Sequence, residues 1–203
     1  EYPTREEIAR FKQEFELTRN LEIDDVVKVY ALEQYRHSLV AILEDFDGES
    51  LTKLLPQQPL TLKEFLHLAI QIADVLGSIH QQDIIHKDIN PSNIIWNPGT
   101  GQLKIIDFGI ATKLSREQPE IRNPDVLEGT LAYMSPEQTG RMNRAVDYRT
   151  DLYSLGATYY HLLTDQVPFQ ATDPMELVHC HLAKMPVPPS ELFSPPPNLP
   201  HQG

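Results

Sequence analysis

The sequence predicts an α+β fold, either as one domain or as a smaller first part followed by a larger second part. Two observations predict it: short β-forming runs alternate with amphipathic helical segments, and one long apolar helix follows in the second half. At 203 residues and 40% hydrophobic content, the chain can form a substantial core. Its single cysteine, Cys180, excludes an internal disulfide and a cysteine-based zinc cluster.

The first part is predicted to contain one helix and two strands. Thr4 and Glu7 form a capping box that opens a helix, and we expect Asp24-Asp25 to end it. Val26–Tyr30 and Leu39–Leu43 are β-rich runs joined by polar residues, which is typical of an antiparallel pair. This part therefore reads as helix, strand, strand.

The second part opens with a helix and a hairpin. Thr61 and Glu64 form another capping box. The apolar residues of the helix that follows share one predicted buried stripe: Leu62, Phe65, Leu66, Ala69, Ile72, Ala73, Leu76 and Ile79. Ile94–Trp96 and Leu103–Ile106 are strand candidates on either side of a loop rich in turn-forming residues, which predicts a hairpin.

A central helix and a proline-rich tail complete the predicted elements. The segment Leu152–Leu163 is apolar on nearly every side, which indicates a helix inside the larger part. Residues 186–200 contain seven prolines. We expect neither helix nor interior strand there, because proline lacks the backbone N–H that both structures use.

The charge and hydropathy of the chain exclude some classes of partner. The formal net charge is -12 at pH 7, and no cluster of lysine or arginine stands out. We therefore expect no nucleic acid partner and no anionic membrane partner. The longest apolar run, Leu39–Leu43, is far shorter than the ~18 residues of a membrane helix, and no signal stretch opens the chain. A cytoplasmic location is expected.

Three short motifs follow one another in the second part. They are His86-Lys87-Asp88 with Asn93 five residues after the aspartate, then Asp107-Phe108-Gly109, then Ser135-Pro136-Glu137. Phosphoryl transfer needs a group that accepts a hydroxyl proton, and oxygen ligands that hold Mg²⁺ on the phosphates. Asp88, Asn93 and Asp107 fit these needs. Each motif alone could be a turn or a capped loop, but the ordered set indicates catalysis.

This ordered set resembles the catalytic core of the eukaryotic-type serine/threonine protein kinases. The resemblance implies a two-lobe protein kinase-like fold. Residues 1–46 would be part of the small lobe, with a helix, two strands and the hinge, and residues 47–203 most of the large lobe with its tail at 186–200. A phosphate loop and a strand lysine are expected before residue 1, so these residues alone are expected to be inactive.

The resemblance implies a reaction and roles for single residues. The reaction is transfer of the γ-phosphoryl group from ATP, with Mg²⁺, to serine or threonine hydroxyls of a protein. Asp88 would be the catalytic base, Asn93 a ligand of one Mg²⁺, and Asp107 a ligand that bridges metal and phosphates. Glu14 would pair with the strand lysine; the alternative is a solvated charge on an amphipathic helix.

Four residues are implied around the adenine of ATP. Leu43 matches the gatekeeper, Glu44 and Phe46 belong to the hinge, and Ile95 would lie beneath the ring. For Leu43 and Ile95, ordinary core packing is an equal alternative.

Further residues are implied in structural and docking roles. His86 and Phe108 would belong to a hydrophobic column between the lobes. Asp151 would bind the backbone of the catalytic loop, or act only as a favourable charge at a helix N-terminus. Glu137 would be structural, with its usual arginine partner beyond residue 203. Gly129-Thr130 together with Tyr133–Glu137 resembles the docking stretch for peptide substrates. In it Thr130 would bond near Asp88, or be a plain turn residue.

Two positions depart from the family pattern. Asn90 stands where a lysine usually follows the catalytic aspartate, and Lys87 stands where arginine is usual. Loss of a cation near the transferring phosphoryl can cost on the order of 100-fold in rate. A pseudokinase or scaffolding module that regulates downstream domains is therefore the alternative. A small-molecule kinase is a further alternative, but such enzymes generally lack the docking stretch.

Two later segments sharpen the resemblance. Thr139–Arg144 and Asp147–Tyr153 look like the amino-terminal kinase-like domain of large bacterial hybrid signalling proteins, in which ATPase, sensor and histidine kinase modules follow. In that family Lys87 and Asn90 look familiar. The likeness implies downstream domains of the same polypeptide as partners.

Overall fold

The computed structural model describes residues 4–36, 38–114, 130–142 and 144–192. Helices and strands alternate along these ranges, which confirms the predicted α+β class. In chain order the elements are α1 (Arg5–Arg19), β1 (Val29–Tyr35), β2 (Ser38–Leu43), β3 (Glu49–Ser50), α2 (Leu51–Leu54), α3 (Leu62–Gln81), β4 (Ile84–Ile85), β5 (Ile94–Trp96), β6 (Leu103–Ile105), β7 (Thr112–Lys113), α4 (Arg149–Thr164), α5 (Pro174–Ala183) and α6 (Pro189–Leu192). Two 3-10 helices, Leu131–Tyr133 and Pro136–Thr139, precede α4.

Helix α1 begins as predicted and ends earlier than predicted. The Thr4 hydroxyl accepts a hydrogen bond from the Glu7 N–H, and the Glu7 carboxylate accepts one from the Thr4 N–H, which confirms the capping box. The prediction that Asp24-Asp25 ends the helix is wrong. Asn20 ends it, because its side-chain amide bonds the Glu16 carbonyl and its backbone N–H bonds that of Leu17, which satisfies carbonyls of the last turn.

Strands β1 and β2 form the predicted antiparallel pair, with Glu33 opposite Val40. The prediction that the first strand begins at Val26 is wrong. Val26 instead forms a parallel bridge with Ile105 of β6, and the Val27 N–H donates to the Ile105 carbonyl. The β-rich run therefore divides between two partners, and its first residues join the loop after α1 to β6.

A three-stranded antiparallel sheet has the order β3-β5-β6. Strands β5 and β6 form the predicted hairpin, with Ile95 opposite Lys104, although β6 ends at Ile105 rather than at Ile106. Strand β4 pairs with β7 in a separate antiparallel ladder. These ladders lie before and after the first two sequence motifs, His86-Lys87-Asp88 and Asp107-Phe108-Gly109.

Helix α3 starts at the predicted capping box of Thr61 and Glu64, but its buried face differs from the prediction. Leu62 and Leu66 are 53% and 51% exposed, and Ala73 is exposed as well. The buried face is formed by Phe65, Leu68, Ile72, Val75, Leu76 and Ile79. The observed face thus includes Leu68 and Val75 in place of Leu62, Leu66 and Ala73. Apolar residues surround the helix more widely than one stripe, so periodicity alone could not set the rotation of the helix.

Helix α4 is the central helix that the sequence predicts. More than half of its residues are buried, including Asp151, Leu155, Thr158 and Leu162, and Leu155 and Leu162 join the core formed around α3 and β6. Leu152 is 50% exposed, so one side of the helix faces solvent. The prediction that the proline-rich segment contains no helix is wrong for Pro189–Leu192. Pro189 is the first residue of that helix, where no N–H is needed. The tail from residue 193 lies outside the described residues.

Among the described helices, none combines the length and apolar character needed to span a membrane. The boundary that we predict between residues 46 and 47 falls in the irregular stretch between β2 and β3, and the division into two lobes stays a prediction.

Candidate active site

The loop after β4 is held by a fully buried carboxylate. Asp151 Oδ2 accepts hydrogen bonds from the His86 N–H at 2.9 Å and pairs with His80 Nε2 at 2.8 Å. Its Oδ1 accepts the Lys87 N–H at 2.7 Å. Lys87 has a φ of 70°, a left-handed conformation that is unfavourable for lysine. Asp151 stabilises this turn by binding two successive N–H groups, and the turn directs the next residue, Asp88, towards the site.

Asp88 and Asn93 lie together, as the resemblance implies. Asn93 Nδ2 donates to the Asp88 carbonyl at 2.9 Å and to Asp88 Oδ2 at 3.1 Å. The Thr130 N–H donates to Asp88 Oδ1 at 2.9 Å, so both carboxylate oxygens are held. Thr130 thus contacts Asp88 directly through its backbone.

Asn90 connects the same two segments. It is 2% exposed. Its Nδ2 donates to the Asp88 carbonyl at 3.1 Å and to Thr130 Oγ1 at 3.3 Å, and its Oδ1 accepts the Ser92 N–H at 2.9 Å. Asn90 therefore supplies a neutral bridge at the position where the resemblance implies a lysine.

Asp107 lies two residues after the end of β6, and its backbone has a φ of 65°. Its Oδ1 accepts the Gly109 N–H at 3.1 Å, and the side chain is exposed. The Phe108 side chain turns the other way, is 1% exposed and contacts the His86 ring in a tilted arrangement, with 4.7 Å between ring centroids. The His86 ring also contacts the Ile106 carbonyl through Nε2 at 3.1 Å. His86 and Phe108 thus form one buried pair between the two motifs.

The oxygen donors of this site suit Mg²⁺. Asn93 uses its amide N–H groups on Asp88, which leaves its Oδ1 as a possible ligand. Asp107 presents a solvent-exposed carboxylate at the end of β6. An amide oxygen and a carboxylate are donors that this hard cation prefers.

Glu14 reaches this site from α1. A Cβ on Gly109 would lie 3.0 Å from Asp107 Oδ1 and 3.5 Å from Glu14 Oε2, so the two carboxylates approach the same glycine. Burial and the charge of Asp107 raise the pKa of Glu14, and Arg10 acts in the opposite direction. Arg10 Nε also donates to the Gly109 carbonyl at 3.1 Å. The side chains of α1 therefore contact the Asp107-Phe108-Gly109 turn.

Of the four predicted adenine residues, Phe46 and Ile95 lie at Gly48, whereas Leu43 ends β2 and Glu44 follows it. Phe46 and Ile95 meet at Gly48, where a Cβ would lie 2.7 Å from the Phe46 ring and 2.8 Å from an Ile95 methyl group. Only glycine fits this contact. Glu44 follows β2 and pairs with the Lys104 ammonium at 3.0 Å. Leu43 is 48% exposed at the end of β2, so core packing does not explain it.

The docking stretch is joined to the catalytic loop by a residue that our sequence reasoning missed. Gln138 is 6% exposed; its Oε1 accepts the Ser135 N–H at 3.1 Å, and its Nε2 donates to the Lys87 carbonyl at 2.8 Å. The Ser135-x-x-Gln138 spacing of a capping box is the signal that could have found it. Glu137 Oε1 accepts a bond from the Thr150 hydroxyl at 2.9 Å, which ties the stretch to α4.

Two tyrosine–histidine pairs support the stretch from the other side. Tyr133 Oη lies 2.6 Å from His161 Nδ1, and Tyr153 Oη lies 2.8 Å from His181 Nδ1. Burial lowers the pKa of His161, with Asp165 opposing, and burial lowers the pKa of His181, with the Leu131 carbonyl opposing. Burial also raises the pKa of Tyr133 to about 12.

These shifts predict a loss of stability in mild acid. A histidine with a lowered pKa in the folded chain takes up a proton more readily when unfolded, so the free energy of unfolding should fall as the pH drops below the ordinary value of 6.5. Urea unfolding at pH 8, 7, 6 and 5, with His161→Gln/His181→Gln beside the natural sequence, measures this. The double variant should show a flatter decline, and an unchanged decline would contradict the assignment.

The family model described as "Protein kinase domain" matches residues 2–199. The "Probable serine/threonine-protein kinase" of Clostridium perfringens is 32% identical over 194 residues, which is 95% of this chain and 28% of that protein. PknB of Mycobacterium tuberculosis is 33% identical over 150 residues, which is 73% of this chain and 24% of that protein.

PrkC of Bacillus subtilis is 31% identical over 176 residues, which is 86% of this chain and 26% of that protein. The chain thus spans 24% to 28% of the length of these three relatives. The family model covers nearly all of the sequence, including every residue of the site described above. The chain therefore belongs to the protein kinase family.

Proposed function

We propose that the chain supplies the catalytic loop, the metal ligands and the docking stretch of a protein serine/threonine kinase. The observation that carries the proposal is the Asp88 carboxylate, with one oxygen held by the Thr130 N–H and the other by the Asn93 amide. Each oxygen keeps a further lone pair for an incoming hydroxyl. The three relatives above are named as serine/threonine-protein kinases of bacteria, which supports the same acceptor class and a role in bacterial signal transduction.

The chain's own residues would divide the chemistry as follows. Asp88 would accept the hydrogen bond of the acceptor hydroxyl and take its proton as the hydroxyl oxygen bonds to the γ-phosphorus of ATP and ADP leaves. Asn93 and Asp107 would hold Mg²⁺, which when bound would offset the charge of the phosphates. Phe46 and Ile95 provide an apolar surface for the adenine ring, and Glu14 is available to a lysine ammonium from a neighbouring strand.

The docking stretch supports a peptide rather than a small molecule as the acceptor. Thr130 and Ser135 border this stretch, and both are bonded to the catalytic loop, directly or through Gln138. An extended substrate lying along it would be held in a fixed position relative to Asp88. The net charge of -12 makes a basic peptide the first acceptor to try.

The test is phosphate transfer from labelled Mg-ATP by the natural full-length protein. Three basic peptides that differ only in carrying serine, threonine or tyrosine serve as acceptors, and EDTA serves as the metal-free control. We expect label on the serine and threonine peptides and none on the tyrosine peptide. Label on tyrosine alone would contradict the acceptor class. Nucleotide binding without transfer to any peptide would favour the pseudokinase, which the neutral Asn90 makes the relevant alternative.

The Asn90–Thr130 contact gives a further prediction. Asn90→Ala removes the bridge between the catalytic loop and the Thr130 hydroxyl, and Thr130→Val removes only that hydroxyl while keeping the N–H bond to Asp88. Each should lower kcat by roughly tenfold, the effect of an ordinary hydrogen bond at its upper range. If the bridge is what matters, the double variant should lose little more than either single variant. If the double variant instead lost kcat by the product of the two single losses, the two residues would act independently, which would contradict a shared role.

A further inference from the structure

Lys104 is a buried cation that the predicted mechanism does not use. It lies on β6, three residues before Asp107, and its side chain is 2% exposed. Its ammonium lies 3.0 Å from Glu44 Oε2, 2.5 Å from the Asp24 carbonyl and 3.5 Å from the Val26 carbonyl. An ammonium has three N–H donors, so these three acceptors match its capacity.

The three acceptors come from two separate parts of the chain. Glu44 belongs to the segment after β2 that is predicted to contact adenine, whereas Asp24 and Val26 belong to the loop after α1. Backbone bonds support the same junction: the Ile105 N–H donates to the Asp25 carbonyl, and the Glu44 N–H donates to the Lys28 carbonyl. Lys104 therefore connects the strand that leads to Asp107 with both neighbouring segments.

The electrostatics favour a single position for Glu44. Burial opposes ionisation of this carboxyl, but the Lys28 N–H and the Lys104 ammonium outweigh it and lower the pKa of Glu44. The Lys104 ammonium also lies 5.7 Å from the centroid of the Phe46 ring, within cation–π range. A shift of residues 44–46 away from β6 would leave a buried charge without its partner, which is strongly unfavourable.

We propose that Lys104 is a positioning residue for the nucleotide: its ammonium holds the Glu44–Phe46 segment at a fixed position relative to Asp107, so that the adenine surface and the metal ligands fit one ATP molecule. The inference rests on the proposed function, because it assumes that ATP lies between these two groups. It assigns Lys104 no contact with ATP. Its effect would appear in nucleotide affinity rather than in the chemical step.

The experiment measures Mg-ATP binding and steady-state kinetics on the natural full-length protein. The variants are Lys104→Met, Glu44→Gln and the two combined. Lys28→Met is the matched control, since Lys28 Nζ lies near the same loop, 3.3 Å from Asp24, on a side chain that is 54% exposed. Glu44→Gln keeps the shape of the side chain and provides the test if Lys104→Met does not fold.

We expect Lys104→Met and Glu44→Gln each to weaken Mg-ATP binding by about tenfold, which is the size of one well-placed interaction. In Lys104→Met the kcat and the KM for the peptide should stay within about twofold. The double variant should bind Mg-ATP little more weakly than either single variant, and Lys28→Met should behave as the natural protein. If Lys104 had a purely structural role, its substitution would lower thermal stability but would not raise the KM for Mg-ATP more than the KM for the peptide. That result would overturn the proposal.

Three other outcomes are also decisive. Equal Mg-ATP affinity in the natural protein and in both single variants overturns the inference and leaves the proposed function intact. Tighter Mg-ATP binding in the variants overturns the inference too, because the Lys104–Glu44 contact would then oppose nucleotide binding instead of favouring it. A natural protein that binds no Mg-ATP overturns the proposed function itself, and the inference with it.

Discussion

Replacing Asp88 by asparagine should lower phosphate transfer to a serine peptide by about 10²–10⁴-fold, the usual contribution of a positioned general base. The reason is that asparagine cannot take up the hydroxyl proton, although it keeps an oxygen for the Thr130 N–H. Its amide group would face the Asn93 amide, which already donates to the Asp88 side chain. The measurement is kcat under saturating Mg-ATP in the natural full-length protein.

Asp83→Asn is the matched control for this prediction. Asp83 lies five residues earlier, is exposed, and has a φ of 58° that asparagine tolerates as well as aspartate. Its substitution should leave kcat unchanged. Mg-ATP binding by the Asp88 variant should also stay close to normal, because Asp88 is assigned to the proton and not to the metal. A variant that transfers phosphate at the natural rate would refute Asp88 as the base.

The sequence was sufficient for the parts of the site that depend on neighbouring residues. The bonds between Asp88 and Asn93 arise within one short loop, and Gly109 lies two residues after Asp107, so the spacing of these residues carries their geometry. Both capping boxes were found for the same reason, since the Thr61–Glu64 bonds span three residues. Local contacts of this kind are encoded in the order of the residues.

Contacts between distant segments could not be predicted from spacing. Lys104 has the pattern of a solvent-exposed strand residue, and its burial depends on acceptors 60 and 80 residues earlier, Glu44 and Asp24. The rotation of α3 was missed in the same way. Leu66 and Leu68 are equally hydrophobic, and only the arrangement of α4 and β6 decides that Leu68 is buried. These features follow from tertiary packing, which the periodicity of one segment does not contain.

The anchor of the catalytic loop should have the largest effect on stability. Asp151→Asn leaves one oxygen where the natural carboxylate accepts bonds from the His86 N–H, the Lys87 N–H and His80. The NH₂ group of the new amide can only donate hydrogen bonds, so at least one of these buried donors would lose its acceptor. The loss of a charge-assisted acceptor at a fully buried site should lower the free energy of unfolding by about 3 kcal/mol. Such a loss shifts the midpoint of thermal unfolding by roughly 6–12 °C in a chain of this length.

Asp147→Asn separates this effect from a general charge effect at the start of α4. Asp147 also accepts N–H bonds, but its partner Arg149 is 50% exposed, and surface pairs of this kind contribute at most about 1 kcal/mol. Calorimetry of the two variants should therefore show a large decrease for Asp151→Asn and a small one for Asp147→Asn. Equal decreases would mean that Asp151 acts only as a helix-end charge. A selective decrease would show that the Asp88 loop keeps its shape through a residue 63 positions away in the sequence.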